Sequence, residues 1–546
     1  MRNTMKNTMK YIKQFRKLVL APVILVAVMI SSCTDIIDTS PYSSIDENAA
    51  FSTASLCELS VNGMYQAAQR GYYNGAGRGY PFGAAYVEQG DCRGEDVVNI
   101  AAFYQYTYEG TYTTGTANNV WMWSDTYRLI NRANIVLEGA QAAADNGVIT
   151  QTKADEYKGE ALAFRAMAHH LLLIHFSRPY KDTPAASHWG VPYRKIPNNN
   201  PANIEINAAM DRGTVAQCYT DILADLNEAE NLLPLKASRS GKTAVTRWTK
   251  QAAAAMKTRV YLHMYDWTNV INEAKKFETG GTYAGTVSLT ASPNGTFTAL
   301  GYNTSENIMS IENSATNNPT VNGALGSQYK RRQLVCISPI IWRNMRWLAD
   351  DKRRTSAVAT SAGVVDAAAM VFTTGTNSVR FTNKYKDEVG YSDGAPMIRY
   401  AEVLLNAAEA YARNNDVTNG LASLNLVRNR ALADPATQAY TAASFADNVA
   451  LLGAILDERR IELVMEGQRW SDISRLQFCP FFPIAGMPGK LANSLPANSL
   501  YTLGTPYTGP YGITAKPYTD NRFLWPLPAI ETDANPVLAA QQNPGY

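Results

Sequence analysis

Cysteine and histidine are scarce in this chain of 546 residues, which holds six of the first and five of the second. Cys57, Cys92, Cys218, Cys336 and Cys479 stand alone, with no CxxC pair, so the spacing of a zinc cluster is missing. A scattered, odd-numbered set also argues against a disulfide framework, and these five are expected to be small buried apolar residues. His169, His170, His175, His188 and His263 form no HExxH or other ligand spacing, and His175 falls on an apolar helix face where a satisfied core residue is expected. No GxSxG elbow, GxxxxGK[ST] loop or GxGxxG turn after a strand occurs. The glycine cluster at 75–79 has no phosphate-loop context. A dominant charge sign is lacking as well. With the six positive residues that precede Leu18 set aside, 44 basic residues face 47 acidic ones, a net of −3. That body has no electrostatic footprint for nucleic acid. Beyond the first 33 residues no apolar run is long enough to span a bilayer.

What is present begins at the front. Arg2, Lys6, Lys10, Lys13, Arg16 and Lys17 are followed by thirteen apolar or small residues, Leu18 to Ile30, and then by Ser31, Ser32 and Cys33. On a helix that apolar run spans roughly 20 Å, short of a hydrocarbon core of about 30 Å. The pattern is a signal peptide over residues 1–32 with a cleavage site before Cys33. A cysteine at the cut resembles the lipobox of bacterial lipoproteins, in which the thiol is lipidated and becomes the new N-terminus. Several acyl chains on Cys33 would anchor the protein stably, each buried methylene contributing about 0.8 kcal/mol. Residues 33–50 then read as a polar tether. Asp35 and Asp38, just behind the cysteine, resemble a surface-export signal of Bacteroidetes-type lipoproteins.

The tyrosine count of 31 is high, and nine tryptophans accompany it. Between about 70 and 115 the chain is rich in glycine and rings, and is expected to form long irregular loops after a first helix at 51–68. A second loop-rich region of short strands is expected over about 282–394, with one helix near 340–348. Helical periodicity dominates elsewhere, over about 120–280 and 395–475. Trp123, Tyr127, Ile130, Asn134 and Leu137 mark one helix face. Asn134 interrupts that stripe and needs a buried hydrogen-bond partner. Paired helices with small residues at their contacts resemble degenerate tetratricopeptide repeats. The expected fold class is mostly α, a tetratricopeptide-like scaffold with irregular loops and short strands forming a binding face.

Three C-terminal segments carry more specific information: MIRYAEVLLNAAEAYAR at 397–413, GLASLNLVRNRA at 420–431 and ILDERRIELVMEGQRWSDISR at 455–475. The chain closes with FLWPLP and QNPGY. Together with the lipobox these segments resemble the SusD/RagB family of outer-membrane lipoproteins. Arg399, Glu402 and Glu409 match the family's first helix pattern. Asn425, Arg428 and Arg430 match the second. Glu458, Arg459, Arg460, Glu462, Glu466, Arg469 and Asp472 match the third, which is taken as one helix. The resemblance implies a single SusD-like domain over 51–546. It implies a protein that captures oligosaccharide, or in some homologues peptide, at the cell surface. It further implies docking on a SusC-like TonB-dependent transporter, no enzymatic activity and no cofactor.

Glu462 and Glu466, one turn apart, could pose as the acids of a surface glycoside hydrolase, the alternative from another class. A structural reading is stronger. Arg459 sits where an apolar residue would continue a helix stripe, and a buried guanidinium without a carboxylate costs several kcal/mol. Arg459 is therefore expected to pair with Glu402 or Glu409, in a structural ion network with Arg399 and Glu462. No metal is expected; Asp91, Glu95 and Asp96 are the loop acids that could hold calcium, without a specific spacing to support it. A sugar presents apolar C–H faces and a rim of hydroxyls, which aromatic rings and Asn, Asp or Arg side chains can match. The candidate ligand residues, taken as a group, are Tyr72, Tyr73, Tyr80, Phe103, Tyr104, Tyr329, Arg331 and Arg332. A purely structural tetratricopeptide adaptor is a third reading; it would show a groove for protein and no ring-lined pocket.

Overall fold

The computed structural model describes residues 47–71, 77–297, 303–359, 366, 368–374 and 377–546. The signal segment, Cys33, Tyr72 and Tyr73 lie outside them.

Helix α1 (Ala54–Arg70) starts where the Thr53 hydroxyl accepts the Leu56 N–H, three residues beyond the expected start. Then come α2 (Ala84–Cys92), strand β1 (Val97–Asn99) and α3 (Ala102–Glu109). The 70–115 segment thus differs from the expected loops: short helices form inside it. The scaffold proper is α4 (Ala117–Asp145), α5 (Gln151–Phe176), α6 (Pro201–Ala208), α7 (Val215–Leu232), α8 (Lys250–Met264) and α9 (Trp267–Lys275). Threonine hydroxyls cap the entries to α5, α7 and α8 through Thr150, Thr214 and Thr249. Each long helix packs along the next, α4 on α5, α5 on α7, α7 on α8 and α8 on α9, which makes stacked helical hairpins. On α4 the predicted stripe is buried through Trp123, Tyr127, Ile130 and Asn134. Asn134 finds its partners: its amide donates to the Arg194 and Ile196 carbonyls, and its oxygen accepts from Arg165.

The middle of the chain holds short strands: β2 (Asn307–Ile311), β3 (Val335–Ile337), β4 (Ser356–Ala359), β5 (Val371–Thr374), β6 (Asn377–Thr382) and β7 (Ala395–Arg399). β1 pairs antiparallel with β3, Val97 opposite Ile337, which ties the two loop-rich regions together. β2 pairs antiparallel with β7 across a bulge; β5 lies parallel to β4 and antiparallel to β6. The helix expected at 340–348 is a single turn, Pro339–Trp342.

Helices return as α10 (Tyr400–Arg413), α11 (Val417–Asn429), α12 (Asn448–Leu463) and α13 (Arg469–Arg475). The third motif is therefore two helices rather than one. The break lies at 464–468, where Met465 and Gly467 take left-handed φ values of 65° and 78°. Gly467 is required there. A Cβ on it would stand 2.8 Å from the Val87 Cα of α2, and a Cβ on Gly90 would meet the Gly467 carbonyl at 2.0 Å. The C-terminal tail is pinned to the scaffold. Trp525 stacks on His175 with centroids 4.4 Å apart and donates its backbone N–H to the His175 carbonyl. The Asn543 amide donates to the Phe176 and Trp525 carbonyls, and Arg212 donates to its oxygen. The five cysteines in the described residues are free and buried. Among those residues no helix is long and apolar enough to cross a membrane.

Candidate functional site

The motif residues form buried ion pairs. Arg399, at the β7–α10 junction, donates from Nη1 to Glu306 at 2.6 Å and to Glu462 at 3.1 Å, and from Nε to Glu466 at 2.7 Å. Glu462 also receives Arg353 and Arg430, and these guanidinium groups hold its carboxyl well below the usual range. Lys384 joins at Glu466. Arg459 pairs with Asp472 at 2.9 Å and donates to Asn406, not to Glu402 or Glu409. Glu402 is taken by Arg259 and Glu409 by Arg475 and Arg413. The expected demand for a carboxylate holds, but the partner comes from α13, beyond the break, which brings Asp472 back against α12. Glu462 and Glu466 are both enclosed and held by cations, so neither is placed to protonate a glycosidic oxygen. Glu95 and Asp96 are likewise taken by Arg460 and Arg469, and Asp91 is buried.

The aromatic candidates divide by burial. Tyr80 and Tyr329 are 0% exposed and Tyr104 1%, so none of these rings offers a face to a ligand. Tyr80 accepts the Gln89 amide, Tyr329 packs against Tyr385, and burial pushes all three hydroxyls up. They form the floor beneath the loops. Phe103 is different. It is only partly buried and stacks on Trp121 of α4, centroids 5.5 Å apart and planes 29° apart. The Arg78 guanidinium lies 5.3 Å from the Trp121 ring centre and 6.0 Å from that of Phe103. Tyr80 and Tyr104 support the stack edge-on. Trp121 and Arg78 were not foreseeable as a pair. Trp121 sits two positions off its helix stripe, and Arg78 lies inside the glycine cluster.

Backbone contacts fix this platform. The Arg78 and Gly79 N–H groups donate to the Arg70 carbonyl at the end of α1. Gly79, at φ 74°, abuts Gly323 so closely that a Cβ on it would stand 2.5 Å from the Gly323 oxygen, which the Ala84 N–H also reaches. The two loop-rich regions thus meet here. Arg331 and Arg332 are exposed on the following turn, Arg331 donating to the Tyr391 hydroxyl and Arg332 to Asn322. Arg332 is also within electrostatic reach of Glu88. That carboxyl is fully enclosed beside Tyr104, and burial pushes it up to about 8 despite the nearby cation. The 311–317 segment walls a polar cavity of about 310 Å³ with Asn62, Gln66 and Gln69 of α1.

Partly exposed rings beside a guanidinium can stack on a sugar face and donate to its hydroxyl rim. Comparison with known proteins agrees with this architecture. The SusD family model matches residues 355–546, and a SusD-like model described as starch-binding associating with outer membrane matches residues 36–262. The chain belongs to the SusD/RagB family. Its fold is that of a SusD superfamily protein from Bacteroides fragilis, at TM-score 0.70 and 26% identity, covering 89% of this chain and 99% of that one. A SusD superfamily protein from Bacteroides thetaiotaomicron VPI-5482 gives TM-score 0.69 at 24% identity, covering 90% and 100% of the two chains. The SusD-like protein P2 of Formosa agariphila is 33% identical over 156 residues, 27% of this chain. This SusD/RagB chain spans about a quarter, 25%, of that relative's length in the match.

Proposed function

We propose that this protein is a cell-surface lipoprotein that captures oligosaccharide and delivers it to a SusC-like TonB-dependent transporter in the outer membrane. In this reading Cys33 carries the lipid, residues 33–50 form the tether, and residues from 51 onward act as one SusD-like body facing outward. The observation that carries the glycan reading is the Phe103–Trp121 stack with Arg78 across it, partly exposed where the two loop regions meet. The family's description as starch-binding and outer-membrane-associated supports the ligand class and the location. Binding rather than turnover is the favoured activity, because Glu462 and Glu466 are spent on arginines and Glu88 is enclosed. Arg331 and Arg332 extend the face on its polar side.

The test is calorimetric titration with neutral glycans. Phe103→Ala should weaken binding about tenfold, on the scale of a lost ring contact of about 1 kcal/mol plus buried area. Unchanged affinity in Phe103→Ala and in Trp121→Ala would move the site elsewhere. Binding of oligopeptides with no response to glycans would change the ligand class and leave the transporter role open.

A further inference from the structure

We propose that a second cleft, built from α12, α13 and the 476–484 turn, binds an anionic sugar, specifically a uronate unit of an acidic oligosaccharide. It encloses about 510 Å³, within the range of small-molecule sites. None of its walls belongs to the Phe103–Trp121 platform. The inference rests on the glycan reading and adds a charge class to it.

The cleft holds more hydrogen-bond donors than it uses. Arg346, Arg460 and Arg469 all line the cleft. Arg346 spends only its Nε, on Asp457 at 3.1 Å. Arg460 spends Nε and Nη2 on Asp96 and Glu95, and Arg469 spends Nε and Nη2 on Glu95. Among the described residues both Nη atoms of Arg346 and the Nη1 atoms of Arg460 and Arg469 have no hydrogen-bond partner, and none of these nitrogens is enclosed. The carboxylates in the same walls are already satisfied. Asp457 accepts from Asn344 and Arg346, and Asp472 accepts from Arg459 and Arg475. The cleft therefore has donors to spare and acceptors in use, and its complement is an acceptor group. Guanidinium nitrogens bind carboxylates with charge-assisted, directional bonds. The remaining wall is apolar. Phe482 is 37% exposed, with Leu456 and Ile484 beside it. A ring with one C–H face and one carboxylate matches both walls.

The experiment uses the full chain in detergent, titrated with hexagalacturonate, with maltohexaose and with pentaglutamate. Hexagalacturonate should bind saturably and lose affinity as salt rises. Arg346 holds one half-exposed ion pair, so Arg346→Ala should fold; it should weaken hexagalacturonate about tenfold and leave maltohexaose unchanged. Phe482→Ala should act in the same sense. Maltohexaose binding without hexagalacturonate binding would overturn this inference and leave the glycan reading intact. Uronate binding insensitive to both substitutions would overturn the site. Tighter, Arg346-dependent binding of pentaglutamate would overturn the ligand class in favour of acidic peptide. Failure of every glycan would bring down the glycan reading and this inference with it.

Discussion

At the scale of single residues the chemistry turns on which side chains remain unpaired. Arg399 is enclosed among three glutamates. Removing it leaves buried carboxylates without a cation, so Arg399→Ala should destabilise the fold by about 3–5 kcal/mol, read as a fall in denaturation midpoint. Glu88 presents the opposite case. Its folded carboxyl sits at about 8 against an ordinary 4.5, because burial disfavours its charge. Below 4.5 both folded and unfolded states hold the proton. Between 4.5 and about 8 only the folded state keeps it, so stability falls as pH rises, and above that range the slope vanishes. Glu88→Gln should therefore gain melting temperature over the parent progressively across that window; a constant difference would contradict the burial account. The sequence already showed that Arg459 must meet an acid, since it continues an apolar stripe. It could not show that the acid is Asp472, because three helices and a chain reversal compete for the same cation. Burial of Tyr80, Tyr104 and Tyr329 was equally illegible: a ring in a glycine-rich segment reads the same whether it floors a loop or tops it.

At the scale of elements the long helices announced themselves and the short ones did not. α4 and α5 carry apolar residues at helical spacing with polar faces opposite. α2 is buried at all nine of its residues, so it has no amphipathic period to read, and its sequence passes for a loop. The α12–α13 break was hidden for a related reason. Helical pattern continues on both sides of Glu466 and Gly467, and only the approach of α2 reveals why the chain must turn there. Gly467→Ala tests this. With φ at 78° and a Cβ 2.8 Å from Val87, the substitution should cost at least about 2 kcal/mol. The α10–α13 contact makes a pH prediction of its own. Arg475 and Arg413 hold the Glu409 carboxyl down at about 2, overcoming its burial. That contribution is complete above the ordinary value of 4.5 and is lost as pH falls toward 2, so Glu409→Gln should lower the melting temperature at neutral pH and converge on the parent in acid.

At the scale of the whole molecule, a stacked helical scaffold carries a face made from two distant loop regions, joined at Gly79–Gly323 and through β1–β3. The helical class and the family were legible from the ordered C-terminal motifs. The location of the ring platform was legible only as a region, since one of its members, Trp121, belongs to the scaffold. The proposed lipid tether at Cys33 makes a direct prediction: Cys33→Ala should release the protein from the outer-membrane fraction. Capture without turnover is the activity proposed for this molecule. Calorimetric titration of residues 34–546 against a panel of glycans, with every mixture then analysed for cleavage, tests it most directly. At least one oligosaccharide should bind saturably, bind more weakly to Phe103→Ala, and be recovered intact. Cleaved product, or no glycan binding across the panel, would contradict capture without turnover.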